Sequence, residues 1–193
     1  MASDLTARAG DGEEPGAARR SAVERAVREL EQHVAAAGWD GPVRLFALVR
    51  TAGALQRDPQ LAARLPPDVV RAALADPEHL TLVEQEGLPD APSLEQLLGG
   101  LAWPDTVDGA AIVTERVVVP PEVEAQVPDD PGEAVTWLAN HPARREVRLA
   151  AAALRDGTNA CAVRARDHDR DSDVAVGPDL VPGLVEGLAA TLQ

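Results

Sequence analysis

The stretch that decides the fold of this chain is VDGAAIVTERVVVPP, residues 107–121. It is rich in β-branched residues, which favour strands, and it ends in two prolines, which cannot donate a hydrogen bond to a neighbouring strand. Apolar residues occupy both alternating sets of side chains, with Ala111 and Val113 on one set and Ala110 and Ile112 on the other. A strand with one face in water would be apolar on one set only. The pattern therefore predicts a central strand that is covered, at least in part, on both faces.

A second strong signal lies in the last third of the chain, where apolar runs at 146–154 and 159–166 flank the residues RDGT at 155–158. Asp-Gly between apolar runs is typical of a β-hairpin. With a two- or four-residue loop, even positions of the first run share a face with odd positions of the second. One predicted face then carries Ala150, Ala152 and Leu154 with Cys161, Val163 and Ala165. The other carries Val147, Leu149, Ala151 and Ala153 with Ala160, Ala162, Arg164 and Arg166.

The remaining patterns predict helices around this sheet. Ser21 and Glu24 form a capping box that opens a helix ending at Gly38. Further strands are predicted at 43–50 and 79–86, with a short one at 174–176, and further helices within 51–78, after Ser93, at 131–140 and at 178–192. The sequence thus predicts an α+β fold, with a mostly antiparallel sheet of about five strands packed with N-terminal, middle and C-terminal helices. Residues 21–193 form the single domain, and 1–20 are predicted to be a disordered, dispensable tail.

Composition limits the function. The formal net charge of −14 argues against binding to nucleic acid or to an anionic membrane, because positive surface drives both. No lysine occurs, which excludes lysine Schiff bases and phosphate-binding lysines of the Walker type. The N-terminus has no apolar leader segment and no run is long enough to span a membrane, so we expect a cytoplasmic protein.

Motifs for catalysis and metal binding are weak. The acidic run 167–173 resembles the first half of an EF-hand loop, yet Ser172 and Pro178 stand where that loop needs glycine and glutamate. We expect a solvated acidic turn there, with a weak cation site as the alternative. Cys161 lies among alanines and is interpreted as a small buried hydrophobic residue. The sequence predicts no metal site, no cofactor and no catalytic residues, so it argues against an enzyme without excluding one.

Two features of the sequence are candidate binding sites for a ligand or a partner protein. Glu115 and Arg116 form a charged pair inside the central strand, either as a structural ion pair or as a pair that faces a ligand. The predicted hairpin face with Leu149, Ala151, Arg164 and Arg166 is either a partner or self-association surface, or it is covered by a helix of the same chain.

Several segments carry a resemblance to a known family. They are WDGP at 39–42, VEQEGLP at 83–89, WP at 103–104, VDGAA at 107–111, Glu115-Arg116 and VGPDLVPGL at 176–184. Over roughly residues 21–193 the chain resembles a conserved actinobacterial protein family of unknown function, which implies a cytoplasmic location but no activity and no site residues. The order of its elements is also similar to that of type III secretion chaperones and related small regulators.

Two hypotheses on function follow. The first is a non-enzymatic protein- or peptide-binding adaptor, chaperone-like in form, which could act as a homodimer. The second is an enzyme or small-ligand-binding protein that uses acidic and arginine residues from distant segments. A broad, open sheet face would favour the first, and a pocket lined by Glu115, Arg116 and a hairpin arginine would favour the second.

Overall fold

A single antiparallel sheet forms the centre of the computed structural model, which describes residues 15–193. The strands are β1 Arg44–Arg50, β2 Leu80–Glu84, β3 Gly109–Val118, β4 Arg145–Leu154, β5 Asn159–Ala165 and β6 Ala175–Gly177. Their order across the sheet is β2-β1-β3-β4-β5-β6, and all neighbours pair antiparallel. The predicted α+β class is therefore confirmed. The sheet has six strands where about five were predicted.

Strand β3 lies between β1 and β4, as the apolar pattern on both of its sets predicts. Its first six residues are buried, whereas Val117 and Val118 at its end are partly open to solvent. Glycine suits its first position, Gly109, because a Cβ there would lie 2.5 Å from the carbonyl oxygen of Ala153. The strand is thus covered on both faces over its first half.

The helices cover the two faces of the sheet unequally. They are α1 Pro15–Ala35, α2 Thr51–Arg57, α3 Pro67–Ala75, α4 Leu94–Gly99, α5 Pro121–Glu124, α6 Pro131–Asn140 and α7 Pro182–Ala190. Short 3-10 turns occupy Pro59–Ala63, Arg166–His168 and Asp171–Asp173. The long helix α1 packs on one face, and the short helices α4 and α7 pack on the other. We call these the α1 face and the α7 face.

Each face has its own apolar core. On the α1 face, Val23, Val27 and Leu30 of the helix pack on Phe46 and Leu48 of β1. On the α7 face, Leu184, Val185 and Leu188 pack on sheet residues that include Ile112 and Ala151. The alanines of β4 are small enough to let helices approach the sheet closely from both sides.

Helix α1 begins earlier than the capping box at Ser21 predicts. Pro15 is its first residue, so Ser21 lies inside the helix and residues 15–20 are helical. Arg19 explains part of the extension, because its Nε and Nη2 donate to the carboxylate of Glu78 at 3.1 Å each, and its Nη1 donates to Asp156. The rest of the predicted tail, residues 1–14, lies outside the described residues.

The hairpin forms as predicted, but its register is shifted by one residue. Leu154 donates its N–H to the carbonyl of Thr158 at 2.9 Å, which leaves a three-residue loop with Gly157 at φ +86°. An odd loop length pairs odd with odd positions, so Ala151 lies opposite Cys161. A shift of one residue moves every side chain of a strand to the other face.

The predicted common face of Leu149, Ala151, Arg164 and Arg166 is therefore wrong. Leu149 and Ala151 are buried on the α7 face, against the last helix. Arg164 lies opposite Arg148 on the α1 face, and Arg166 follows the end of β5 and pairs with Asp40. The register separates the alanines from the arginines that were expected beside them.

Replacing Ala151 by glutamate tests the cover that α7 provides. The side chain of Ala151 is fully buried, so an unpaired carboxylate there should lower the free energy of unfolding by about 2 kcal/mol or more. Val118→Glu is the matched control, because Val118 lies on the same face but is 36% exposed, and it should change stability by about 0.5 kcal/mol at most. Urea unfolding of both variants measures the difference. Equal stabilities would show that α7 does not cover this face.

Truncation tests the start of α1. Removal of residues 1–20 takes away the beginning of the helix and both ion pairs of Arg19, so we expect unfolding to become easier by about 1 kcal/mol. The control is a protein that lacks only residues 1–14, and the Arg19→Ala variant of the full chain isolates the ion pairs. Identical thermal midpoints for the two truncated proteins would contradict this expectation.

Candidate functional site

Four charged side chains meet at one end of the α1 face. This ionic cluster consists of Glu31 on α1, Glu115 on β3, Arg148 on β4 and Arg164 on β5. The strand register places Arg148 directly opposite Arg164, where two buried guanidinium groups would repel each other. Glu31 lies between them and is fully buried. Its carboxylate accepts from Nε and Nη2 of Arg164 at 2.7 Å each and lies 3.5 Å from Nη1 of Arg148.

Glu115 completes the charge balance of the cluster. Its Oε1 accepts from Nη2 of Arg148 at 2.9 Å, and its Oε2 accepts from the backbone N–H of Asp40 at 2.7 Å. Arg148 also donates to the carbonyl of Gly38 and stacks on the ring of Trp39 at 4.3 Å from the centroid. Glu115 and Arg148 therefore hold the connection between α1 and β1 against the sheet.

Arg166, which the sequence suggested as a binding residue, also contacts the connection between α1 and β1. It donates to both carboxylate oxygens of Asp40, at 2.8 and 2.9 Å, and to Glu146 at 2.6 Å. The Arg166 guanidinium holds the pKa of Asp40 below its usual value. Arg166 thus fixes the α1–β1 connection from outside, in a structural role.

The acidic run 167–173 takes part in the same network. Asp169 and Asp171 accept from Arg164 at 3.2 and 2.7 Å. The indole N–H of Trp39 donates to Asp169 at 2.9 Å and lowers the pKa of that carboxyl group. Within residues 15–193, no three His, Cys, Asp or Glu side chains come together as a metal ion would need. Two of the carboxylates that suggested a cation site pair with an arginine.

Arg116 points to the opposite face from Glu115, because consecutive residues of a strand alternate. It lies at a cavity of about 500 Å³ between α4, α7 and the sheet, which we call the α4–α7 groove. The apolar walls of this groove come from Leu94, Leu98, Leu101, Leu149, Val181 and Leu184. Of the predicted site residues, Arg116 and Leu149 thus meet in one cavity, whereas Glu115, Arg164 and Arg166 do not reach it.

Arg116 is exposed, and the hydrogen bonds of its guanidinium to the described residues all come from Nη1. Its Nη1 donates to the hydroxyl of Thr114 at 2.9 Å and to the carbonyl of Glu115 at 3.0 Å. Among residues 15–193, no carboxylate lies within ion-pair distance of it. Glu95 is the acidic side chain in the groove wall. Its own backbone N–H, then the Ser93 hydroxyl and the charge of Arg116, lower its pKa, so it is ionised at neutral pH.

Glycines determine the shape of the groove. A Cβ on Gly187 would lie 3.1 Å from Cδ1 of Leu98, so glycine allows α7 to come close to α4 at this point. Gly183 also lines the groove, and a Cβ on it would have no neighbour within 4 Å, so a side chain there has room. The sequence indicates these helices by their apolar spacing, but that pattern does not distinguish a groove wall from a core.

A second cavity, of about 430 Å³, lies beside the ionic cluster and is lined in part by Glu115 and Arg148. Its other charged side chains, Arg44 and Glu84, bind each other through two hydrogen bonds of 2.6 Å. Each charged side chain around this cavity therefore has an oppositely charged partner among the described residues, although Nη1 of Arg148 is buried without a hydrogen bond. The α4–α7 groove, with its partly engaged Arg116, is the better candidate for a ligand.

Comparison with known proteins gives a family match over most of the chain. Residues 23–193 match the model of a family described as PPA1309-like protein. The chain belongs to this family. It has no significant match among curated proteins or among solved structures. The PPA1309-like family is uncharacterised, which confirms the expectation of a conserved family of unknown function. In residues 15–193 of this PPA1309-like chain, the helices are all too short or too polar to cross a membrane.

Removal of Glu31 tests the ionic cluster. In Glu31→Ala, two buried guanidinium groups lose the carboxylate between them, so we expect the free energy of unfolding to fall by about 3–5 kcal/mol. Glu29→Ala, on an exposed position of the same helix, should change it by about 0.5 kcal/mol or less. Urea unfolding measures both variants. A loss below about 1 kcal/mol in Glu31→Ala would mean that water or rearranged side chains replace the carboxylate.

Proposed function

We propose that the protein is a non-enzymatic binding protein that holds a small ligand, with an apolar body and a carboxylate group, in the α4–α7 groove. The observation that supports this is the partly engaged guanidinium of Arg116 at the edge of an apolar cavity of about 500 Å³. Cavities of this size and composition are typical of small-ligand sites, where a few polar groups orient the ligand. An arginine can bind a carboxylate through two parallel hydrogen bonds.

The covered sheet favours a pocket over a sheet face as the binding surface. Helix α1 packs on one face, and α4 and α7 pack on the other. Ala151, which the sequence suggested for a partner surface, lies beneath α7. Where the helices cover the sheet, a ligand can therefore reach it through the cavities between the helices and the strands.

The groove offers little for catalysis. Its polar side chains are Glu95, Thr114, Arg116 and Thr191. The hydroxyl of Thr191 is occupied, since it accepts from the indole N–H of Trp103 at 2.9 Å and donates to the carbonyl of Leu188 at 2.7 Å. A carboxylate can act as a general base, but the lowered pKa of Glu95 makes it a weak one, and the described residues of the groove place no general acid beside it. This supports binding as the function.

A protein or peptide partner is the second candidate function, and the position of β2 at an edge of the sheet favours it. The chaperone-like form of that hypothesis rests on the order of the elements alone. The cytoplasmic location, the actinobacterial source and the homodimer stay predictions from the sequence.

Titration calorimetry with decanoic acid and with decanol tests the proposed ligand chemistry. The acid should bind the unaltered protein at least about tenfold more tightly than the alcohol, because only the carboxylate forms charge-assisted hydrogen bonds with Arg116. In Arg116→Ala the two affinities should become equal. Arg71→Ala, an exposed arginine on α3 far from the groove wall, serves as the control and should retain the preference.

A second pair of variants tests whether the ligand lies in the groove. Gly183→Leu directs a side chain into open space and replaces glycine by a better helix former, so the protein should fold and bind neither compound. Gly53→Leu on α2 makes a comparable change outside the groove and should bind as the unaltered protein does. Absence of binding to the unaltered protein, or unchanged binding to Gly183→Leu, would contradict the proposed function.

A further inference from the structure

Strand β2 forms an edge of the sheet and uses only one side of its backbone. The N–H of Gln85 donates to the carbonyl of Leu45 at 2.8 Å, and the N–H of Thr51 donates to the carbonyl of His79 at 3.0 Å. In an antiparallel ladder, every second residue forms such hydrogen bonds with the neighbouring strand. The backbone N–H and C=O groups of Thr81 and Val83 therefore also point to β1.

The other residues of β2 direct their backbone groups away from the sheet. They are Leu80, Leu82 and Glu84. Among residues 15–193, the N–H groups of Leu82 and Glu84 have no backbone acceptor. Such an edge is a template on which another strand can pair.

A cavity of about 380 Å³ lies along this edge, between α1, α3 and β2. Its apolar lining comes from Leu30, Phe46, Val69, Leu80 and Leu82. Cross-strand neighbours share a face of the sheet. A strand added beside β2 would therefore place alternate side chains next to Leu80 and Leu82, in this cavity. The edge supplies backbone hydrogen bonds and the cavity supplies side-chain selectivity.

The charges around the cavity favour a basic partner. Glu84 is already bound by Arg44, whereas Glu29 has no cationic partner within 4 Å among the described residues. The whole chain carries a formal net charge of −14. A second copy of the chain fits this edge poorly, because β2 has the sequence LTLVE and would bring another acidic residue rather than a basic one.

We propose that β2 accepts an extended segment of a partner polypeptide as an additional strand. Apolar side chains of that segment, at alternate positions, occupy the cavity between α1 and α3, and a basic side chain binds Glu29. This interaction surface is separate from the α4–α7 groove, which lies on the other face of the sheet. The opposite edge of the sheet, β6, is only three residues long and offers much less backbone for pairing.

The test begins with random linear peptides displayed on phage and selected on the full chain. We expect the selected peptides to alternate apolar and polar residues and to contain arginine or lysine. In the complex with a selected peptide, NMR should show slower amide exchange at Leu82 and Glu84, while Thr81 and Val83, already bonded to β1, should change little. Failure to select any peptide, or unchanged exchange at Leu82 and Glu84, overturns the proposal.

Proline variants give an independent test of the same edge. Leu82→Pro removes an N–H that points away from β1, so the protein should remain folded and lose at least about tenfold in peptide affinity. Leu82→Ala separates the loss of the side chain from the loss of the N–H and should bind more tightly than Leu82→Pro. Val83→Pro removes an N–H that β1 needs, and it should destabilise the sheet.

Two more variants complete the design. Glu29→Gln should weaken binding of the basic peptides several-fold, and Arg116→Ala should leave it unchanged, because Arg116 belongs to the other face. Should Leu82→Pro unfold, the amide exchange of the unaltered protein decides the outcome. Sedimentation that shows a dimer without peptide, with Leu82 and Glu84 already protected, would overturn the proposal in favour of pairing between two copies.

Discussion

The packing of α1 on the sheet depends on one buried carboxylate, that of Glu31, which lies between two arginines. Moving each guanidinium out of water costs several kcal/mol, and the cost is offset only when an anion and further hydrogen-bond acceptors surround it. Arg148 and Arg164 are 0% and 2% exposed, and the register of β4 and β5 places them side by side. Glu31 pairs with both because α1 packs across β4 and β5 with this residue between the two arginines. The cluster therefore contributes specificity to the packing, and the apolar core around Val27 and Leu30 contributes stability.

Helices of different length cover the two faces of the sheet. On the α1 face a helix of 21 residues follows the sheet and ends at the ionic cluster, where both arginines have carboxylate partners within the chain and only Nη1 of Arg148 is buried without a hydrogen bond among the described residues. On the α7 face, two short helices share the cover, and glycines at 99, 183 and 187 leave them without side chains at positions along the groove. Short helices that meet through glycine do not fill the space above a sheet. The groove is the consequence of that sparse cover.

The sequence was sufficient for the elements that depend on local periodicity and turn chemistry. The double apolar pattern located β3 in the middle of the sheet, Asp-Gly located the hairpin, and Asp130-Pro131 marked the start of α6. It was not sufficient for the register of the hairpin, because loops of two, three and four residues all suit the residues RDGT. Each change of one residue in the loop moves the side chains of a strand to the other face.

Glu31, too, was missed in the predictions from the sequence. It lies next to the apolar stripe of α1, and a charged residue in that position is exposed in most helices unless an arginine from a distant strand meets it.

The two interpretations of Glu115 and Arg116 were a structural ion pair and a pair that faces a ligand. Glu115 forms an ion pair with Arg148, whereas Arg116 lies at the α4–α7 groove, where we propose that a ligand binds. Alternation along a strand is a signal in the sequence that could have separated them, since adjacent side chains of β3 cannot share a face.

The position of Glu115 directly before Arg116 in the chain still matters for the groove. Glu115 is held by Arg148 and by the N–H of Asp40, so the backbone of β3 is fixed at this point. Arg116 follows directly, and Nη1 of its guanidinium is bonded to Thr114 and to the carbonyl of Glu115. An arginine whose backbone and one nitrogen are fixed before binding loses less conformational freedom when it meets an anion. The ionic cluster on one face thus helps to fix the position of Arg116, the one basic side chain that the described residues contribute to the groove on the other.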